Sequence, residues 1–378
     1  MKYRNTLLAS IGATIALSVS ASALAVTDEE FRTLQEQMNQ LASTIEDTPD
    51  EPSRLHIGSY GEMLYNNLER PDGSTYKQLD FRRFVLFLGY DFSDTIRFHS
   101  ELEIEHALVE DSEPGAVELE QAWLEFDLSD DIAARAGLFL VPVGILNELH
   151  EPTFFYGVER NPIETNVIPT TWWEGGAGLS GNFGGSGLSY DLAITSGLAG
   201  GTDVRGGRQS VAKATANDLA YTGRLKYTGL RGLELSGTAQ YQTDMTQSID
   251  PNINAAILLS AHAIYSIGSV QLRGLYANWN IDVTSSATAE DQAKDLQDGY
   301  YLEASWLFVH SAGVFARYNV WDNGGLGDTE KTQTNVGINY WPHEGVVLKF
   351  DVQQQDFGAA NATEELDGFN VGLGYYFY

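Results

Sequence analysis

The chain has 378 residues, 52 acidic against 22 basic side chains, a formal net charge of −30 and no cysteine. That balance excludes nucleic acid as a partner, because a polyanion is repelled, and the missing thiols exclude disulfide staples, thiol catalysis and cysteine-based zinc sites. Glycine at 38 residues, with 19 Tyr, 17 Phe and 7 Trp, favours a fold of strands and turns.

At the N-terminus, Lys2 and Arg4 precede the apolar run LLASIGATIALSVSASALA, which closes on the small-residue site Ala23-Leu24-Ala25. These are the parts of a secretory signal peptide over residues 1–25, cut before Val26. The run is too short and too rich in Ser, Thr and Gly for a spanning helix. Cleavage removes two basic residues and deepens the net charge from −30 to −32. Further on, the most apolar run, AAILLSAHAIYSIG (255–268), is interrupted by Ser260, His262 and Ser266 and is also too short to span as a helix.

Residues 26–47 place Phe31, Leu34, Met38, Leu41 and Ile45 at spacings of 3, 4, 3 and 4, an a/d seam that predicts a short periplasmic coiled-coil helix. Two heptads are marginal alone in water, so the main body has to hold the copies together. The alternative is a helix lying against its own chain. TPDEPS (48–53) reads as a linker.

From residue 54 to 378 the apolar period becomes two and stays two. The clearest runs are 95–108, 117–128, 132–141, 188–196, 217–228, 233–245, 270–279, 300–309, 332–341 and 346–355, with weaker ones at 55–66, 78–91, 173–183, 253–267, 313–321 and 367–378. Tight turns such as DFSDT (91–95), SDD (129–131), GGSG (184–187), GLRG (229–232) and GS (268–269) alternate strictly with long polar segments. A soluble sandwich has no reason to sort its loops by end, whereas a transmembrane barrel does: short turns on one side, long loops on the other. The predicted fold is therefore all-β, a 16-stranded antiparallel transmembrane β-barrel, sealed because an unpaired edge is too costly in hydrocarbon. The terminal GLGYYFY places Tyr375, Tyr376, Phe377 and Tyr378 where an interface belt of aromatics belongs.

With the apolar positions facing lipid, the parity sends Arg97, His99, Glu101, Glu103 and Glu105 into the lumen as a row, together with Arg135, Arg224, Lys226, Arg273, Arg317 and Lys349. Arg97, Arg135, Arg224, Arg273, Arg317 and Lys349 all lie near a short turn and suggest a basic belt, in which Arg224 could meet Glu234 across strands. Glu101, Glu103 and Glu105 stand about 7 Å apart along one strand face and repel unless compensated, so they read as a cation-attracting strip.

The longest connection, about 141–172, is too aromatic for an exposed loop, carrying Phe154, Phe155, Tyr156 and Trp172. It is predicted to fold inward and narrow the pore, bringing Glu148, His150, Glu151, Glu159 and Arg160 to the ion path. Packing over the rim at a subunit contact is the alternative. No catalytic residue, metal ligand set or cofactor motif emerges. The histidines lack HExxH spacing, there is no GxSxG elbow, and GGSG has neither the Lys nor the helix of a phosphate loop. A triad assembled from distant residues, as in an outer-membrane hydrolase, leaves no local signature.

Two blocks, LDFRRFVLFLGYDFSDTIRFHSELEIE (79–105) and GLFLVPVGILNELHEPTFFYGVERNPIE (137–164), resemble the phosphate-selective porin family (porin O/P-like) of Gram-negative outer membranes. The resemblance implies a sixteen-stranded homotrimeric channel with a short N-terminal coiled coil, set among outer-membrane lipid and lipopolysaccharide and passing small hydrophilic solutes. This sequence departs from the family's ladder of lumen arginines and cluster of lysines. Beyond the leader its lysines are only those at 77, 213, 226, 294, 331 and 349. The expected function is passive diffusion of ions and small polar solutes with a weak lean to cations, the alternative being a substrate-specific channel, phosphate or another anion included.

Overall fold

The structure, a computed structural model, describes residues 53–109 and 115–378. The expected leader, the coiled-coil seam from Phe31 to Ile45 and nearly all of the linker lie outside the described residues. The chain forms β1 (Leu55–Glu69), β2 (Thr75–Ser93), β3 (Ile96–Glu105), β4 (Val117–Ser129), β5 (Ile132–Leu140), β6 (Trp173–Asn182), β7 (Leu188–Thr195) and β8 (Ala220–Tyr227). The second half adds β9 (Leu233–Gln242), β10 (Ile253–Ile267), β11 (Val270–Val283), β12 (Leu296–Val309), β13 (Ala312–Asp322), β14 (Lys331–His343), β15 (Val346–Phe357) and β16 (Asp367–Phe377). Each strand pairs with its sequence neighbours, and β1 closes the cylinder on β16, antiparallel, from Ser59 opposite Phe377 to Glu69 opposite Asp367. Closure leaves no edge strand.

Every sequence run with period two coincides with one of these strands. The ends differ where alternation continues through polar residues: β11 runs on through Asn280 and Asp282, and β12 starts early with Gln297. Connections sort by end, with two-residue links at 94–95, 130–131 and 268–269 opposite the long segments 141–172 and 196–219.

Alternation sets the two faces. On β14, Val336, Ile338 and Tyr340 are exposed outward while Gln333, Asn335 and Asn339 are buried inward. The same rule exposes Leu192, Leu225, Leu259, Leu302 and Val352, so a continuous apolar band encircles the barrel. An apolar surface of that extent is stable only against another apolar phase. Aromatics mark two levels of the band: Trp306 faces Val270 at the short-turn end, and Tyr300 faces Tyr276 six residues along, about 20 Å at the ordinary strand rise.

Two register shifts bend the wall in the β1–β2 and β3–β4 pairings. One lies between Glu62 and Leu64 in the β1–β2 pairing, the other between Glu101 and Leu102 of β3, where Glu120 is the extra residue of β4. Bulges re-aim side chains. At Gly137, φ is +136° and an added Cβ would stand 2.4 Å from the Ala122 carbonyl oxygen, so the β4–β5 approach requires glycine.

The apolar core lies inside the cylinder. Val141, Val143, Leu146, Phe155, Ile163, Ile168 and Trp172 pack on the inward faces of Leu275, Trp279, Tyr301 and Trp321 from β11, β12 and β13. Trp172 meets Trp279 with ring centroids 6.1 Å apart, and Trp279 Nε1 donates to the Val167 carbonyl at 2.9 Å. Each such side chain contributes about 1.5–3 kcal/mol by burial, which is enough to hold a long connection against a wall that would otherwise be wet.

Candidate channel constriction

The 141–172 segment has too little regular structure to satisfy its own backbone, so side chains do it. Glu164 is fully buried; its Oε1 accepts from the Ile145 and Leu146 amides at 2.5 and 2.6 Å, and its Oε2 from Asn161 Nδ2 at 2.9 Å and the Tyr301 hydroxyl at 3.3 Å. Asn147 laces the two ends together: Nδ2 donates to the Val141 and Trp172 carbonyls at 2.8 and 2.9 Å, and Oδ1 accepts from the Trp172 amide at 2.7 Å. Buried polar groups left unpaired would be costly, so these bonds define the segment's shape.

Most of the basic residues near the short turns hold this segment. Lys349 Nζ donates to the Gly157 carbonyl at 2.9 Å and sits 3.6 Å from the centre of the Phe155 ring. Arg317 donates to the Tyr156 carbonyl at 3.2 Å and pairs with Glu303 at 3.6 Å; Arg273 donates to the Phe154 carbonyl at 3.2 Å. Arg224 pairs with Glu148 of the segment and, at 2.7 Å, with Asp191. It stands opposite Thr238 on β9, so the suggested pair with Glu234 does not form; Glu234 meets His262 at 3.0 Å instead. Arg135 lies 4.4 Å over the Phe139 ring, and Arg97 pairs with Glu125 and Asp127 at 2.6 and 2.5 Å. Lys226 and Arg224 border a 620 Å³ cavity at the short-turn mouth with Asp94, Asp127, Asp130, Asp131 and Asp191.

Deeper in, a 270 Å³ cavity is bounded by Glu62, Arg82, Arg83, Glu159, Arg160 and Arg205. The β1–β2 bulge turns adjacent arginines of β2 towards acids there. Arg82 meets Asp80 at 3.1 Å and Glu159 at 3.0 Å; Arg83 meets Glu62 at 3.0 Å and Glu103 at 3.6 Å. Arg160, Arg205 and Arg208 differ. Among the described residues no carboxylate lies within ion-pair distance of them; Arg160 donates to the Thr171 hydroxyl at 2.9 Å, Arg205 to the Thr165 and Thr170 carbonyls at 2.6 and 3.0 Å, and Arg208 to the Thr171 carbonyl at 2.6 Å. Burial and then the like charges of Arg208, Arg160 and Arg83 push the Arg205 pKa down to about 10, and burial lowers Arg160 and Arg208 too. For Arg205 the neighbouring guanidinium charges disfavour the charged form, so an anion beside it would be stabilised.

Opposite, β3 and β4 carry the acids. Glu101 and Glu103 point inward but are each only 1 % exposed, covered by the 141–172 segment, while Glu105 and Glu118 are half-buried. His99 stacks on Trp123 at 4.3 Å. His150 is buried beside Glu101 and Glu120; burial alone would lower its pKa, but the two carboxylates outweigh it and hold it up at about 10. Glu151 is half-buried and its Oε2 has no hydrogen-bond partner among the described residues. Sequence reasoning missed Glu118, Glu120, Arg205 and Arg208. The acids had a signal: apolar parity is odd at Val117 and Leu119 and even at Ala122 and Leu124, a slip that marks the bulge and turns both Glu120 and Gln121 inward. The arginines sit in an aperiodic segment and left none.

No family model matches this sequence. An uncharacterised protein of Aquifex aeolicus (strain VF5) is 31 % identical over 336 residues, covering 80 % of this chain and 76 % of that protein. This chain belongs to the same family. Among solved structures, outer-membrane expressed OmpT of Vibrio cholerae superposes with a TM-score of 0.55 at 10 % identity, over 86 % of this chain and 99 % of that one. The outer-membrane channel DcaP of Acinetobacter baumannii gives 0.56 at 10 % identity over 85 % and 97 %, and OmpF of Salmonella typhi in complex with daunomycin gives 0.56 at 12 % identity over 85 % and 97 %. At these identities the likeness is one of fold: the closed sixteen-stranded barrel is the architecture of outer-membrane porins.

Proposed function

We propose that the protein is an outer-membrane porin of a Gram-negative cell, a passive diffusion channel for ions and small polar solutes that does no chemistry. The observation that carries this is the 141–172 segment inside a closed barrel, seated on β11, β12 and β13 and bordering a cavity lined by arginines and glutamates. A segregated constriction of this kind orients dipolar solutes and passes both signs of ion. The acidic short-turn mouth and the net charge of −30 give a weak lean to cations. A homotrimer in outer-membrane lipid and lipopolysaccharide, held at the N-terminus by a coiled coil, fits this reading; V. cholerae OmpT, one of the fold neighbours, is described in a trimer form. Membership of the phosphate-selective porin family remains part of the proposal, supported by the blocks at 79–105 and 137–164.

A second reading, a channel with a binding site for an anionic solute, is favoured by Arg160, whose Nε and Nη2 are buried at the cavity without a hydrogen-bond partner among the described residues. Liposome swelling separates these readings from each other and from a closed barrel. A diffusion porin should pass neutral sugars at rates falling smoothly with size, unaffected by micromolar phosphate or dicarboxylate. Inhibition by such an anion would favour the second reading, and absence of swelling with any solute would sink both.

A further inference from the structure

We propose that Glu101, Glu120 and His150 form a site for a divalent cation of the zinc type, which fastens the lumen segment to the barrel wall. The three residues come from β3, from the bulge of β4 and from the 141–172 segment, and each is at least 98 % buried. Their donor atoms lie within 4.8 Å of one another. His150 Nε2 is 3.4 Å from Glu101 Oε1 and 3.6 Å from Glu120 Oε2, and among the described residues none of the three atoms has a hydrogen-bond partner. Such separations are loose for hydrogen bonds but match the edges of a tetrahedron of ligands: bonds of about 2.0–2.1 Å set neighbouring donors about 3.3–3.4 Å apart.

The surroundings are arranged for coordination. His150 Nδ1 is 3.3 Å from the Asn147 carbonyl oxygen, which can only accept, so Nδ1 keeps its proton, and a metal that displaces the proton on Nε2 meets a lone pair already aimed between the two carboxylates. Glu101 Oε2 accepts from Gln121 Nε2 at 2.8 Å, leaving Oε1 for the metal. Hydrogen bonds of this kind orient and tune metal ligands. Tyr60, fully buried with its ring centroid 5.7 Å from that of His150, has a hydroxyl without a hydrogen-bond partner among the described residues and offers a further donor beside the cluster.

Charge points the same way. Arg83 is already engaged by Glu62 and Glu103, and among the described residues no arginine lies within ion-pair distance of Glu101 or Glu120. Two buried carboxylates and a neutral imidazole balance one divalent cation, whereas a proton on the imidazole cancels only half of their charge. The nitrogen donor selects zinc or its first-row neighbours over calcium, which prefers oxygen alone. The β4 bulge, which adds one residue and swings Glu120 inward, is what makes the set possible.

The test uses the full-length mature protein in detergent, stripped with a chelator and titrated with zinc chloride. Calorimetry gives the affinity, and elemental analysis after gel filtration gives the stoichiometry. One zinc per chain is expected, with affinity lowered at least tenfold in Glu120→Gln and in His150→Gln, each checked for β-sheet circular dichroism, and unchanged in the exposed-site control Glu290→Gln. Calcium should bind more weakly. Folded wild-type protein that retains no stoichiometric zinc at micromolar concentration, folded variants that bind as wild type, or calcium binding as tight as zinc would each overturn the proposal. None of these readouts depends on whether the barrel conducts.

Discussion

Replacing Glu164 with alanine is expected to release the 141–172 segment from the lumen while leaving the barrel closed. The carboxylate satisfies the amides of Ile145 and Leu146, the side chain of Asn161 and the Tyr301 hydroxyl, all in a region with no access to water. Each buried donor left unpaired costs about 1–3 kcal/mol, so the segment's docking should weaken by on the order of 3 kcal/mol or more. The barrel's own ladders, from β1–β2 round to β15–β16, do not involve this residue. The expected signature is selective: new protease cuts within 141–172, a larger and noisier conductance, and an unchanged far-ultraviolet spectrum. A variant whose segment stays protected and whose conductance equals wild type would show that the apolar contacts of Trp172, Ile163 and Phe155 suffice without the staple.

The second large effect concerns selectivity. Changing Arg160, Arg205 and Arg208 together to glutamine should shift the reversal potential in a salt gradient strongly towards cations. At an effective dielectric of about 20, a charge about 8 Å from a passing ion alters its energy by about 2 kcal/mol. Arg82 and Arg83 are matched by acids in ion pairs, whereas these arginines are held by carbonyls and hydroxyls and form no ion pair among the described residues. The cation-to-anion permeability ratio should rise severalfold at low salt, and the difference should shrink near 1 M salt, where the Debye length is about 3 Å. A reversal potential unmoved at low salt would mean that these side chains lie off the ion path.

The barrel was legible in the sequence because it rests on a rule every strand obeys. Leu225 and Leu302 outward, and Arg224 and Glu303 inward, follow from period two alone, and loop lengths tell the two ends apart. The constriction was only half legible. Aromatic content singled out 141–172, but the partners of Lys349 and Arg317 are backbone carbonyls of that segment, and carbonyls carry no residue signature. The inward direction of Glu101 and Glu103 could be read from parity; their burial could not, because it depends on where His150 and its neighbours settle. Glu120 required noticing a parity slip of one residue.

One measurement bears most directly on the account. The mature protein, purified in detergent and added to a planar bilayer, should produce discrete upward steps of ohmic current, with a conductance that scales with the salt concentration and that rises in Glu164→Ala. Verified insertion of folded protein without current steps would contradict the central claim that the interior of this barrel is a water-filled path narrowed by its own 141–172 segment.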